Sequence, residues 1–176
     1  TDITATLDGS DVSFSVPTDY NGSEDFTVSV SDGQETDSQS ITVTVAAVND
    51  APVAITGLSG TSDEDGSVVV TLSGSDIDGD NLSFSVGSAT HGQLSLSGSL
   101  VTYTPDANYN GSDSFDFTVT DGNLSDTATV TLTVTAVNDA PVLATVSDVS
   151  FDEDGSGSIS LSGSDVDGDA LTYSVA

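Results

Sequence analysis

SDTATVTLTVTAVNDAPV, residues 125–142, carries two signals in one stretch. In its first part Ala128, Val130, Leu132 and Val134 alternate with threonine. A period of two with β-branched residues predicts a strand with one face buried. Its second part, AVNDAPV at 136–142, already occurs at 47–53, 89 residues earlier. The surroundings repeat at the same offset. DEDGS at 63–67 returns at 152–156, LSGSD-x-DGD at 72–80 returns at 161–169, and YNGS at 20–23 returns at 109–112. Between 47–86 and 136–175, 24 of 40 positions are identical without a gap. This is a tandem array of one domain.

The array reads as the second half of one repeat (1–48), one complete repeat (49–137) and the first half of the next (138–176). Thr1 aligns with Thr90 and Ala176 with Gly87, so the expectation is a piece of a longer polypeptide. The complete repeat is expected to be all-β. Strands are predicted near 53–58, 67–73, 81–86, 92–97, 99–104, 113–120 and 126–136, punctuated by Gly, Asp and Asn. Phe115, Phe117 and Val119, like Leu82, Phe84 and Val86, keep the same alternation. Seven short strands in about 90 residues predict tandem immunoglobulin-like (cadherin-like) seven-stranded β-sandwiches. Tyr20 and Tyr109 precede the sixth strand, where such folds often bury a tyrosine. Pro52 and Pro141 follow the joints and make them short and stiff.

The chain has 29 acidic residues, no Lys or Arg, and a formal net charge of -29. No Lys–carboxylate or Arg–carboxylate pair can form. Two carboxylates about 4 Å apart repel by roughly 4 kcal/mol at an effective dielectric near 20. Clusters such as Asp63-Glu64-Asp65 therefore call for cations or wide solvation. The same sign argument excludes nucleic acid and anionic membranes as partners. There is no cysteine, so core packing and ions must hold the domains. No apolar run approaches the length of a membrane span.

The carboxylates fall in turns. With strands alternating up and down, the first and fifth interstrand loops share one end with the exit of the last strand. The second and sixth loops share the other end. Glu64, Asp65 and Asp113 are then expected to face the joint at Asn138-Asp139. Asp165, Asp167 and Asp169 descend on it from the next repeat, where Glu153 and Asp154 continue the DEDG pattern. Glu24 and Asn49-Asp50 are expected to meet Asp76, Asp78, Asp80 and Asp121 in the same way. Each joint offers six or more oxygen donors, the chemistry of a hard cation such as Ca²⁺. Zn²⁺ would want His or Cys, and only His91 exists. Asp76, Asp78 and Asp80 match the first three ligand positions of an EF-hand loop. Asn81 replaces its turn glycine, however, and Gly87 its final glutamate.

VNDAPV, DEDG, GSDxDGDxLxFSV, THGQLSL, YTPDANYNGSDSFDFTVTDG and TVTLTVTAVNDAP cover nearly the whole chain. Together they resemble the cadherin-like tandem repeats of large bacterial surface adhesins and biofilm proteins. The resemblance implies a secreted, calcium-binding spacer or adhesive stalk at the bacterial surface, with neighbouring repeats as its partners. By resemblance to cadherins, Glu64, the Asp76/Asp78 pair and Asp121 match inter-domain calcium ligands. Ala46 and Val48 stand where cadherins place an acidic residue ahead of the joint, which implies one or two ions per joint rather than three.

An enzyme is not expected. There is no cysteine nucleophile and no cation to hold an oxyanion, and His91 sits in a turn that Thr1-Asp2-Ile3 replaces in the first repeat. Two other functions compete with the stalk. One is a filament subunit in which half-repeats of successive copies complete each other head to tail. The other is a glycan- or ice-binding module, which the lack of tryptophan and the inward alternation of most Phe and Tyr disfavour.

Overall fold

The computed structural model describes residues 2–176; the Thr1–Thr90 equivalence lies outside them. Among the described residues there are fifteen strands and no helix. The central sandwich uses nine of them: β5 (Val53–Ala54), β6 (Ser59–Asp63), β7 (Val68–Thr71), β8 (Gly74–Ser75), β9 (Ser83–Val86), β10 (Gly92–Ser97), β11 (Leu100–Pro105), β12 (Gly111–Thr120) and β13 (Ser125–Thr135). One layer runs β6-β13-β12-β9, the other β10-β11-β7, and β5 pairs separately with β8. This is an immunoglobulin-like sandwich.

The threonine-alternating stretch forms β13, antiparallel to β12 with Phe115 opposite Val130 and Phe117 opposite Ala128. Its inward set packs with Val70, Leu72, Val101, Tyr103, Phe115, Phe117 and Val119 into one core. Period-2 patterning works here because a strand alternates its faces.

The first predicted strand, 53–58, divides in two. Val53 and Ala54 pair with Ser75 and Gly74. The chain then crosses to the other layer, and Ser59–Asp63 runs parallel to β13. Gly57 makes the crossing at φ 79°, a conformation that favours glycine. Ser-Gly-Thr-Ser reads as loop, but β13 supplies its ladder. Gly60 permits the close approach, since a Cβ there would lie 2.9 Å from Val70 Cγ2.

The tyrosine expectation needs correcting. The fully buried tyrosine is Tyr103 of β11. Tyr109 is only partly buried; its hydroxyl donates to the Ser112 carbonyl at 2.7 Å. Its ring stacks on His91, with centroids 4.2 Å apart.

Flanking the sandwich, β1 (Thr4–Asp8) pairs with β2 (Asp11–Ser15), and β3 (Gly22–Ser31) with β4 (Thr36–Val45). On the other side β14 (Val142–Leu143) pairs with β15 (Gly163–Ser164). Positive-φ positions recur at the 89-residue offset: Gly9 and Gly98 have φ 64° and 62°, Asp19 and Asn108 59° and 58°, Asp65 and Asp154 58° and 64°. Equal strings have folded into equal turns.

Candidate metal centres at the joints

Each joint is organised by an Asp-x-Asp-Gly-Asp turn. Asp76 Oδ1 accepts the amides of Asp78 at 2.9 Å and Asp80 at 3.3 Å. Asp165 does the same for Asp167 at 3.0 Å and Asp169 at 3.2 Å. Glycines 79 and 168, at φ 79° and 80°, let both turns close. The second aspartate then reaches the joint: Asp78 Oδ2 accepts the Asp50 amide at 2.8 Å, and Asp167 Oδ2 the Asp139 amide at 2.7 Å.

At the second joint the preceding repeat adds Glu64. Its side chain is 5 % exposed. Glu64 Oε1 accepts the Val137 amide at 2.6 Å, while its own amide donates to the Thr135 carbonyl. This clips the DEDG loop to the end of β13. Carboxylate oxygens of Glu64, Asp139 and Asp167 come within 4.8 Å of one another, as do those of Asp76, Asp78 and Asp80. These are acidic groups that could hold a metal ion. Asp76 Oδ2 and Asp139 Oδ2 are buried with no hydrogen-bond partner, an unusual state for a charged acceptor. Burial, then the charges of Asp167, Asp65, Glu64 and Asp165, raise the Asp139 pKa. Burial, then Asp19, Asp78 and Asp76, do the same for Asp50. An all-oxygen donor set with an unpartnered oxygen fits a hard cation.

Asp19 was missed by sequence reading. It occupies the positive-φ turn before Tyr20, where the next repeat has Asn108, and its charge bears on Asp50. Only the fold shows that this turn reaches the joint. Asp65 turns to the equivalent loop of the central repeat, accepting the Asn108 amide at 3.2 Å.

Two expected ligands are engaged elsewhere. Asp113 accepts the amides of Thr90, His91 and Ser114 and the Tyr103 hydroxyl. Glu24, its equivalent 89 residues earlier, accepts the Asp2 and Ile3 amides at 2.6 and 3.1 Å. Both carboxylates cap the turn before the neighbouring hairpin instead of opening towards a joint. Burial raises the Asp113 pKa, but the donors from His91, Ser114, Thr90 and Tyr103 outweigh it and hold the group below its ordinary value. Asp121 serves the first joint indirectly. The Asn49 side-chain amide donates to it at 2.8 Å, and the Leu124 and Asn123 amides complete its turn; all three lower its pKa. Asn138 turns its amide onto the Asp139 carbonyl at 2.7 Å, as Asn49 does to Asp50 at 2.9 Å. Glu153 and Asp154 are exposed, with no joint partner among the described residues.

If the first-joint carboxylates hold a divalent cation, Asp78→Ala should weaken its binding by about tenfold or more, because ligand charge sets affinity in all-oxygen sites. Asp78 is an exposed turn residue, so the circular dichroism spectrum of the sandwich should not change. Calorimetric titration beside that spectrum checks both halves.

The fold and its paired joints define an immunoglobulin-like module set in a repeat array. Residues 49–133 match the family described as bacterial Ig domain. A stretch of 111 residues, 61% of this chain, is 36% identical to chitinase A of Pseudoalteromonas piscicida and spans 14% of that protein's length. Among solved structures, an endo-fucoidan hydrolase of glycoside hydrolase family 107 is similar over 80% of this chain and 24% of its own, at 19% identity and a TM-score of 0.40. Human protocadherin-24 EC1-2 is similar over 67% of this chain and 62% of its own, at 17% identity and a TM-score of 0.44.

Proposed function

We propose that this chain is part of an extracellular stalk at a bacterial surface, with joints stiffened by Ca²⁺ and used in adhesion or biofilm structure. The observation that supports this reading most is the pair of buried, unpartnered oxygens on Asp76 and Asp139, one at each joint. Without a cation, Asp139 faces Glu64, Asp65, Asp165 and Asp167 with no Lys or Arg in the chain to offset them. A divalent ion bridging Glu64 to Asp139 and Asp167 would couple one repeat to the next. The chain contributes carboxylates and stiff Pro-led joints. The ion would contribute charge and a fixed inter-repeat angle.

The role is mechanical, not enzymatic. The carboxylates belong to repeated turns and not to one cleft. The stretch similar to chitinase A spans 14% of that protein, so such a module also occurs inside a larger chain.

Ca²⁺ at about 100 times its dissociation constant adds roughly 2.7 kcal/mol to the stability of a single-site protein. Removing it with EGTA should lower the melting temperature and increase the radius of gyration as the joints loosen. Calorimetry and small-angle scattering, with Ca²⁺ added back as control, test the reading. Identical melts and scattering curves in EGTA and in Ca²⁺ would defeat it.

A further inference from the structure

The carboxylates of the central repeat avoid one of its flanks. Strands β7, β8, β9, β10 and β11 carry none, and neither 66–75 nor 81–105 contains an acidic residue. The acids sit on β6, β12 and β13 and in turns. In a chain with 29 acids and no Lys or Arg, the flank formed by β9 and β10 is therefore an uncharged strip along the sandwich. Strand β10 is the edge of the three-stranded layer and pairs only with β11. The His91 carbonyl accepts the Asp106 amide at 2.9 Å, and Gln93 stands opposite Thr104, so the odd-numbered residues of β10 bond to β11. Bonding alternates along an antiparallel strand, so the amides and carbonyls of Leu94 and Leu96 point away from β11, to the free edge.

Free edges are ordinarily blunted by a charge, a proline or a bulge. The first repeat follows that rule: Asp2, Asp8 and Asp11 stand where the central repeat has His91, Ser97 and Leu100. Strand β10 reads Gly-Gln-Leu-Ser-Leu-Ser and has neither charge nor proline. Beside it Leu82, Phe84 and Leu96 line an opening of about 480 Å³ in the flank, with Ser83, Gly98 and Ser99. The three apolar side chains are half-buried and close the core from this side only in part.

We propose that this flank is a contact between two copies of the chain, in which β10 of one pairs antiparallel with β10 of the other. The two three-stranded layers become one continuous sheet. The contact is two-fold symmetric: Leu94 of each copy lies opposite Leu96 of the other, and the two Ser95 side chains face each other across the axis. The free amides and carbonyls of Leu94 and Leu96 then find partners, and the half-buried leucines are covered. Charge selects a second copy as the occupant. A basic partner is drawn to the acid-bearing strands and turns, whereas two chains of charge -29 can approach closely only where neither carries a carboxylate. No joint carboxylate takes part, so the contact is independent of metal at the joints. It sets stalks side by side.

Sedimentation velocity of the 176-residue chain, in NaCl at about 0.15 M where the Debye length is about 8 Å, tests this with the variants Ser95→Asp and Ser95→Lys. Ser95 is exposed, and circular dichroism checks that each variant keeps the sandwich. The mass of the parent chain should double as concentration rises, and hydrogen exchange at the Leu94 and Leu96 amides should slow over the same range. Each variant alone should stay monomeric, since like charges then stand directly opposite. An equal mixture of the two should recover the dimer through opposite charges across the axis. A parent chain that is monomeric at every concentration overturns the proposal. So does association that Ser95→Asp leaves intact, or exchange at Leu94 and Leu96 that does not change with concentration.

Discussion

Phe117→Ala should cost about 3–5 kcal/mol of stability, as expected for truncating a fully buried aromatic. Phe117 sits mid-way along β12, between Ala128 of β13 and Val86 of β9, and is completely inaccessible. Its ring lies 6.4 Å from that of Phe84, its diagonal neighbour on β9 of the same layer. Val119, Val101 and Leu72 belong to the same buried cluster. Urea unfolding followed by near-ultraviolet circular dichroism measures the loss. A midpoint displaced by less than that of an exposed-site control such as Val69→Ala would show that the core is not where the burial places it.

Asp113→Ala should cost about 1–3 kcal/mol, because it removes the acceptor of two part-buried amides and leaves the buried Tyr103 hydroxyl only the His91 carbonyl at 3.0 Å. The amides of Thr90 and His91 and the Tyr103 hydroxyl all turn onto this one carboxylate. In the intact chain burial, then the hydrogen bond to Asp113 and its charge, raise the Tyr103 pKa. Since the Asp113 pKa is lowered in the folded chain, its stabilisation is fully present above the pKa of an unfolded aspartate. It disappears as pH falls through the folded value. Asp113→Asn keeps an acceptor but cannot titrate, so its acid unfolding curve should lose this component. Metal affinity at the second joint should be unaffected by Asp113→Asn; a weakened affinity would return Asp113 to the ligand set.

Part of the candidate site's geometry was legible as spacing. Asp76, Asp78 and Asp80 and their copies 89 residues on declare a turn, and Glu64 and Asn138-Asp139 occur where an up-and-down strand order brings them to one end. Asp113 and Glu24 were misread for a specific reason. Their distance along the chain puts them near a joint, but their direction depends on which amides the preceding hairpin offers. No local pattern encodes that, because Asp113 and its donors Thr90 and His91 are more than 20 residues apart. Asp19 was missed in the converse way: an ordinary turn aspartate by sequence, brought to Asp50 by the packing of one repeat on the next.

The sequence by itself determined the repeat, the strand alternation, the inward residues of β12 and β13 and the turn chemistry, since these depend on periods of two residues and on a duplicated string. Tertiary structure alone decided the rest. It split the first strand between layers at Gly57 and buried Tyr103 in place of Tyr109. It also decided which carboxylates keep a free oxygen. Burial and hydrogen-bond satisfaction are set by neighbours distant in sequence, which no local pattern names.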